Sequence, residues 1–145
     1  MSGARGVPIE ILLVEDDPGD VLITREAFAE HKLHNRLTVC SDGAEALRLL
    51  HRADAPRPDI ILLDLNLPGV DGRAVLEAVH ADPDLARIPV VVLTSSTAEE
   101  DFLRGHQLRV AGYLAKPVDF AGLMRVVRRI EAFYISVRRA VQDRA

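Results

Sequence analysis

Four apolar runs in this chain end on side chains that can do chemistry. IEILLV is followed by Glu15, Asp16 and Asp17; IILL by Asp64; VVVL by Thr94 and Ser95; and AGYLA by Lys116 and Pro117. If the runs are neighbouring strands, Glu15, Asp16 and Asp64 converge at one edge, where repulsion and partial desolvation raise their pKa values unless a cation joins them. An all-oxygen, partly open donor set suits magnesium, or manganese, better than zinc. A carboxylate beside such an ion can act as a nucleophile toward phosphorus and form an acyl phosphate, provided the charge on the transferring group is neutralised. The ion can take one phosphoryl oxygen, the ammonium of Lys116 a second and the hydroxyl of Thr94 a third. Asp64, alone at the end of its run, is the candidate acceptor.

The elements that must position these residues are legible in the periodicity. IEILLV is a short strand rich in branched residues, and a helical segment opens at Pro18 and runs to about Lys32. LTVC and the turn SDG give a second strand, and AEALRLLHRA spaces apolar residues as a helix does. DIILLDL predicts a third strand, GRAVLEAVHA a helix that stops before Pro83, and IPVVVLT a fourth strand. TAEEDFLRGHQL carries Thr97 and Glu100 at capping-box spacing, AGYLAKP is a fifth strand, and a last helix begins near Asp119. Strands without strict alternation, each separated by a helix, predict a parallel sheet covered on both faces: an α/β, flavodoxin-like, doubly wound domain of five strands. Ligands of such sheets bind beyond the carboxyl ends of the strands, which is where the polar residues stand.

The chain of 145 residues, 48% hydrophobic and 28% charged, suits one domain with one sizeable core. Its single cysteine, Cys40, excludes an internal disulfide and reads as a small core residue in a reducing compartment. The N-terminal apolar run meets acids at once, unlike a signal peptide or membrane span, so a soluble cytoplasmic protein with no membrane partner is expected. A formal net charge of -4 gives no general attraction to nucleic acid, although RVVRRIEAFYISVRRA is locally basic.

Taken in order, LLVEDD, SDGAEAL, LLDLNLPGVDG, VVVLTSS and GYLAKP resemble the response regulator receiver family, over Ile9 to about Ile135. The resemblance implies that Asp64 accepts a phosphoryl group and that Asp16 ligates the metal directly. It implies that Glu15 acts on the metal through water and that Asn66 contributes a backbone carbonyl. Thr94 and Lys116 match the phosphate-contacting hydroxyl and lysine, Tyr113 matches the aromatic switch position, and a cis peptide is implied between Lys116 and Pro117. Ser95 stands where the family often has alanine or glycine, which implies narrower access for a phosphodonor. A sensor histidine kinase is the implied donor. The face of the fourth helical segment, the fifth strand and the last helix is the implied output surface. A receiver catalyses its own phosphorylation and dephosphorylation, so the expectation is a phosphoacceptor signalling protein rather than an enzyme with a free product.

Residues 1–8 read as a flexible N-terminus, 9–135 as the receiver and 136–145 as an extension of the last helix. Apolar spacing continues through Leu123, Val126, Val127, Ile130, Tyr134, Val137 and Val141, further than the sheet requires. With LVEDDPGDVLITREAF near the start, the IEAFYISV ending resembles single-domain regulators paired with bacterial and cyanobacterial phytochromes. That likeness implies a phytochrome-type kinase and a homodimer through Phe133, Tyr134, Val137 and Val141. With no effector domain expected, output would pass through a partner or onward to a phosphotransfer protein.

Simpler readings cover other polar residues. Asp42 and Gly43 serve the turn into the second helix, Asp71 and Gly72 the entry to the third, and Ser96, Thr97 and Glu100 a helix cap. His31 and His34 lack a third ligand nearby and read as surface residues. Tyr113 on its residue type alone is equally an edge-strand aromatic. Three other functions use related parts. A haloacid-dehalogenase-type phosphatase would need an acid two residues past the nucleophile, where Asn66 stands. A flavin carrier on the same fold would place phosphate against EDDPGD, which repels it. A receiver-like binding module that is never phosphorylated would not need the whole set Glu15, Asp16, Asp64, Thr94 and Lys116.

Overall fold

The structure, a computed structural model, describes residues 8–30, 35–65, 72–94 and 110–127. The chain runs β1 (Ile9–Val14), α1 (Pro18–Glu30), β2 (Asn35–Cys40), α2 (Gly43–Leu50), β3 (Ile60–Asp64), α3 (Gly72–Ala81), β4 (Val90–Thr94), β5 (Gly112–Ala115) and α4 (Phe120–Val127). The five strands form one parallel sheet in the order β2-β1-β3-β4-β5. This is the doubly wound, flavodoxin-like sheet expected from the run of strand-helix units.

Burial explains which residues could make which strand. β3 and β4 are buried at every position because helices cover both of their faces, so their sequences are unbroken apolar runs up to the final Asp64 and Thr94. β2, at an edge, keeps exposed Arg36 and Thr38 between half-buried Asn35, Leu37 and Val39. It starts two residues before the apolar stretch LTVC. Ile9 pairs with Asn35 and Glu10 with Arg36, whose guanidinium lies 3.3 Å from the Glu10 carboxylate. Pairing with β1, not hydrophobicity, sets that boundary. β4 starts after Pro89, which has no N–H for the ladder but whose carbonyl accepts from the Ile61 amide at 3.0 Å.

Each face of the sheet has its own core. On one, Ile11, Leu13, Ile60, Leu62, Val91 and Leu93 pack with Phe28 of α1 and Leu123 of α4. On the other, Leu12, Val14, Ile61, Leu63 and Val92 meet Ala46 and Leu50 of α2 and Val75, Leu76 and Val79 of α3. Three helix entries are fixed by an acid just before the first turn: Asp17 Oδ1 accepts from Gly19 N at 2.8 Å, Asp42 Oδ1 from Glu45 N at 2.8 Å, and Asp119 Oδ1 from Gly122 N at 2.6 Å. Cys40, buried at the end of β2, has its thiol pushed up to about 12, first by burial and then by the nearby Glu45 carboxylate, and is an inert core residue. Among the described residues no helix is long and apolar enough to cross a membrane. The helix expected over TAEEDFLRGHQL, the N-terminal tail, His31, His34 and the continuation of the last helix past Val127 lie outside the described residues.

Candidate functional site

The strand register gathers the polar residues at one edge. Val14 pairs with Leu63, so Glu15 comes level with Asp64; Asp64 pairs with Leu93, and Thr94 with Ala115, one residue before Lys116. The Glu15 amide donates to Cys40 O at 3.0 Å, and the Lys116 amide to Thr94 O at 2.9 Å, which carries the strand geometry one residue into the site. The Lys116–Pro117 peptide is cis.

Lys116 is the hub. Its Nζ donates to Asp64 Oδ2 at 2.8 Å and to Asp20 Oδ2 at 3.2 Å, and lies 2.9 Å from Glu15 Oε1. Burial works against the ammonium charge, but the carboxylates of Asp64 and Glu15 outweigh it and hold the lysine above its ordinary pKa. Glu15 is 1% exposed and Asp64 3%, while Asp16 is exposed. Desolvation pushes the Glu15 carboxyl up to about 7; Lys116 opposes that push and neighbouring Asp64 adds to it. The direction is that of a carboxyl buried beside another acid, more weakly acidic than it would be in water.

Glu15, Asp16 and Asp64 each bring a carboxylate oxygen within 4.8 Å of the others'. Glu15 Oε2 accepts from the Asp17 amide at 3.2 Å, but Oε1 is buried without a hydrogen bond. Its 2.9 Å contact with Lys116 therefore pairs charges without hydrogen-bond alignment. A buried oxygen with unspent acceptor capacity, next to two more carboxylates, fits a hard divalent cation such as magnesium or manganese.

The structure brings Glu15, Asp16, Asp64, Thr94 and Lys116 to this edge. Tyr113 is half-buried on β5 opposite Val92, against the α2 and α3 side of the core. Asn66 and Ser95, and the dimer candidates Phe133, Tyr134, Val137 and Val141, lie outside the described residues. Sequence reasoning passed over two participants. Asp20, in the first turn of α1, reads in sequence as an acid suited to a helix N-terminus, yet it reaches Lys116 from 96 residues away. Gly72 reads as a turn residue, yet it is buried with its α-carbon against the candidate acceptor. A Cβ built there would sit 2.6 Å from Asp64 O and 2.6 Å from Leu65 Cα. Both obstacles are backbone, so Gly72→Ala is expected to lower stability by about 2 kcal/mol and to slow phosphorylation by displacing Asp64. Urea unfolding with an unchanged m-value, alongside a phosphorylation time course, checks both parts.

Comparison with known proteins gives concordant results. Residues 11–128 match the response regulator receiver domain. Response regulator Rcp1 of Synechocystis sp. is 40% identical over 139 residues, covering 93% of this chain and 95% of Rcp1. The crystal structure of its Mn(2+)-bound form aligns with TM-score 0.70 at 41% identity, covering 88% of this chain and 94% of that one. The bacteriophytochrome response regulator AtBRR aligns with TM-score 0.81 at 39% identity, covering 87% of this chain and 94% of that one. The phosphorylated cyanobacterial phytochrome response regulator RcpA aligns with TM-score 0.72 at 41% identity, covering 90% and 96%. A match of this breadth, to relatives covered almost from end to end, means that the chain belongs to the response regulator receiver domain family and works in two-component signalling.

Proposed function

We propose that Asp64 is the phosphoacceptor and that the acids and lysine around it carry the transfer. The observation that supports this most directly is the 2.8 Å contact between Lys116 Nζ and Asp64 Oδ2 beside the Glu15, Asp16 and Asp64 cluster. A sensor histidine kinase presents phosphohistidine. An Asp64 carboxylate oxygen attacks phosphorus, the P–N bond breaks, and its electron pair returns to the imidazole, which takes a proton. Lys116 shifts from carboxylate to phosphoryl oxygen, and the Thr94 hydroxyl donates to another. Glu15, Asp16, Asp64 and the Asn66 carbonyl would hold magnesium, or manganese, which when bound supplies positive charge to the phosphoryl oxygens. Loss of the group follows by attack of water on phosphorus and release of inorganic phosphate. The protein thus catalyses its own phosphorylation and dephosphorylation, acting as a switch rather than a turnover enzyme.

Once Asp64 carries phosphate, the pull on Thr94 and Lys116 biases the face of the fourth helical segment, β5 and α4, with Tyr113 as the ring that turns. Likeness to AtBRR and RcpA supports a phytochrome-type kinase as the cytoplasmic partner, with a further phosphotransfer protein as one route onward. The apolar stripe through Phe133, Tyr134, Val137 and Val141 supports a homodimer. Light scattering at micromolar concentration is expected to give a dimer mass; a monomer mass, with and without phosphorylation, would overturn that part.

The experiment that tests the central reading is incubation with acetyl phosphate followed by intact mass. One phosphoryl group is expected to add in the presence of magnesium and none after chelation. Addition that is indifferent to the metal would overturn the role given to the cation, and no addition under both conditions and from a kinase donor too would leave the chain a constitutive binding module.

A further inference from the structure

Lys116 offers three N–H donors. Among the described residues three carboxylates stand around them: Asp64 at 2.8 Å, Glu15 at 2.9 Å and Asp20 at 3.2 Å. Two of the three belong to the metal cluster, and Asp20 does not. When Glu15 and Asp64 turn to cation and phosphoryl group, Asp20 is the acid left to the lysine. Its position is fixed: Thr24, 1% exposed, donates its hydroxyl to Asp20 O at 2.8 Å and ties down the first turn of α1. Nor is the pair a surface contact, since the Lys116 and Asp20 side chains are only 20% and 27% exposed.

We propose that Asp20 is a positioning residue that competes with the phosphoryl group for Lys116, and so sets how readily the site takes up and holds phosphate. This rests on the reading of Asp64 as acceptor. The contact draws the ammonium toward α1 and away from an incoming phosphoryl group, which slows phosphorylation and loosens the grip on the product. A glutamate would keep the charge and reach the lysine; an asparagine removes the charge and leaves the turn intact.

The test is a time course of intact mass with acetyl phosphate and magnesium for wild type, Asp20→Asn and Asp20→Glu, then for the first two in a Lys116→Met background. Releasing Lys116 from this carboxylate is expected to speed phosphorylation about five-fold and to lengthen the phosphate lifetime. Asp20→Glu is expected to stay within about two-fold of wild type, because the charge survives. The gain is expected to disappear in the Lys116→Met background, which a general charge effect or a purely structural role would not produce. Asp20→Asn at or below the wild-type rate, or a gain that survives without the lysine, would overturn the proposal while leaving Asp64 as acceptor. A wild-type protein that takes no phosphoryl group would overturn the acceptor assignment itself, and the role of Asp20 with it.

Discussion

Asp64→Asn is expected to abolish phosphoryl incorporation while leaving the protein folded. The amide matches the carboxylate in size and can still accept a hydrogen bond from Lys116, but it does not attack phosphorus, so the loss should be complete rather than partial. Stability should not suffer. Asp64 is buried among acids, and its charge helps to push Glu15 up to about 7; replacing it removes repulsion from the metal-free site. Intact mass after acetyl phosphate and magnesium, read beside a thermal melt in chelator, separates loss of chemistry from loss of fold. Residual addition of one phosphoryl group to a folded Asp64→Asn protein would move the acceptor to another carboxylate of the cluster.

Lys116→Met is expected to slow phosphorylation by about 10²- to 10³-fold, the usual effect of removing one charge-stabilising donor from a transfer site. Unlike Asp64→Asn it should also cost stability in chelator. Asp64 and Glu15 are both buried and both within 3 Å of Nζ, at 2.8 and 2.9 Å, and methionine fills the stem but neutralises neither. Stripping one partner from a buried ion pair typically costs about 3–5 kcal/mol. Here about 2 kcal/mol is expected, because Glu15 is already poised to take up a proton and shed its charge. Magnesium should then stabilise the variant more than it stabilises wild type, since the cation supplies the charge the lysine no longer brings. Urea unfolding with and without the metal reads this difference, and equal shifts in the two proteins would contradict it.

The sheet and the strand ends were open to sequence reasoning because both rest on local pattern. β3 and β4 are buried on both faces and therefore unbroken apolar runs, and a polar residue closing such a run is conspicuous. The edge strand β2 was harder. Its first two residues, Asn35 and Arg36, are polar and owe their place to pairing with Ile9 and Glu10. Asp20 and Gly72 were hidden for a different reason. An acid in a first helical turn and a glycine at a helix start each have a sufficient local explanation, and nothing in the local sequence shows that one meets a lysine 96 positions away or that the other lies against a carbonyl. What a residue does along the chain was legible; what it touches across the fold was not.

The meeting of Gly72 with the end of β3 has a consequence for how this site can be altered. The Gly72 amide donates to Leu65 O at 3.3 Å, so the six residues 66–71 leave and re-enter the fold at nearly one point. Asp64 belongs to the frame on the inner side of that point, and Asn66 to the insert. The two ends of residues 66–71 are thus held together by a contact that does not involve Asp64, so exchanges between them leave the acceptor's own strand untouched. What such exchanges must keep is the glycine at the rejoining point, because any side chain there meets the backbone of Asp64 and Leu65.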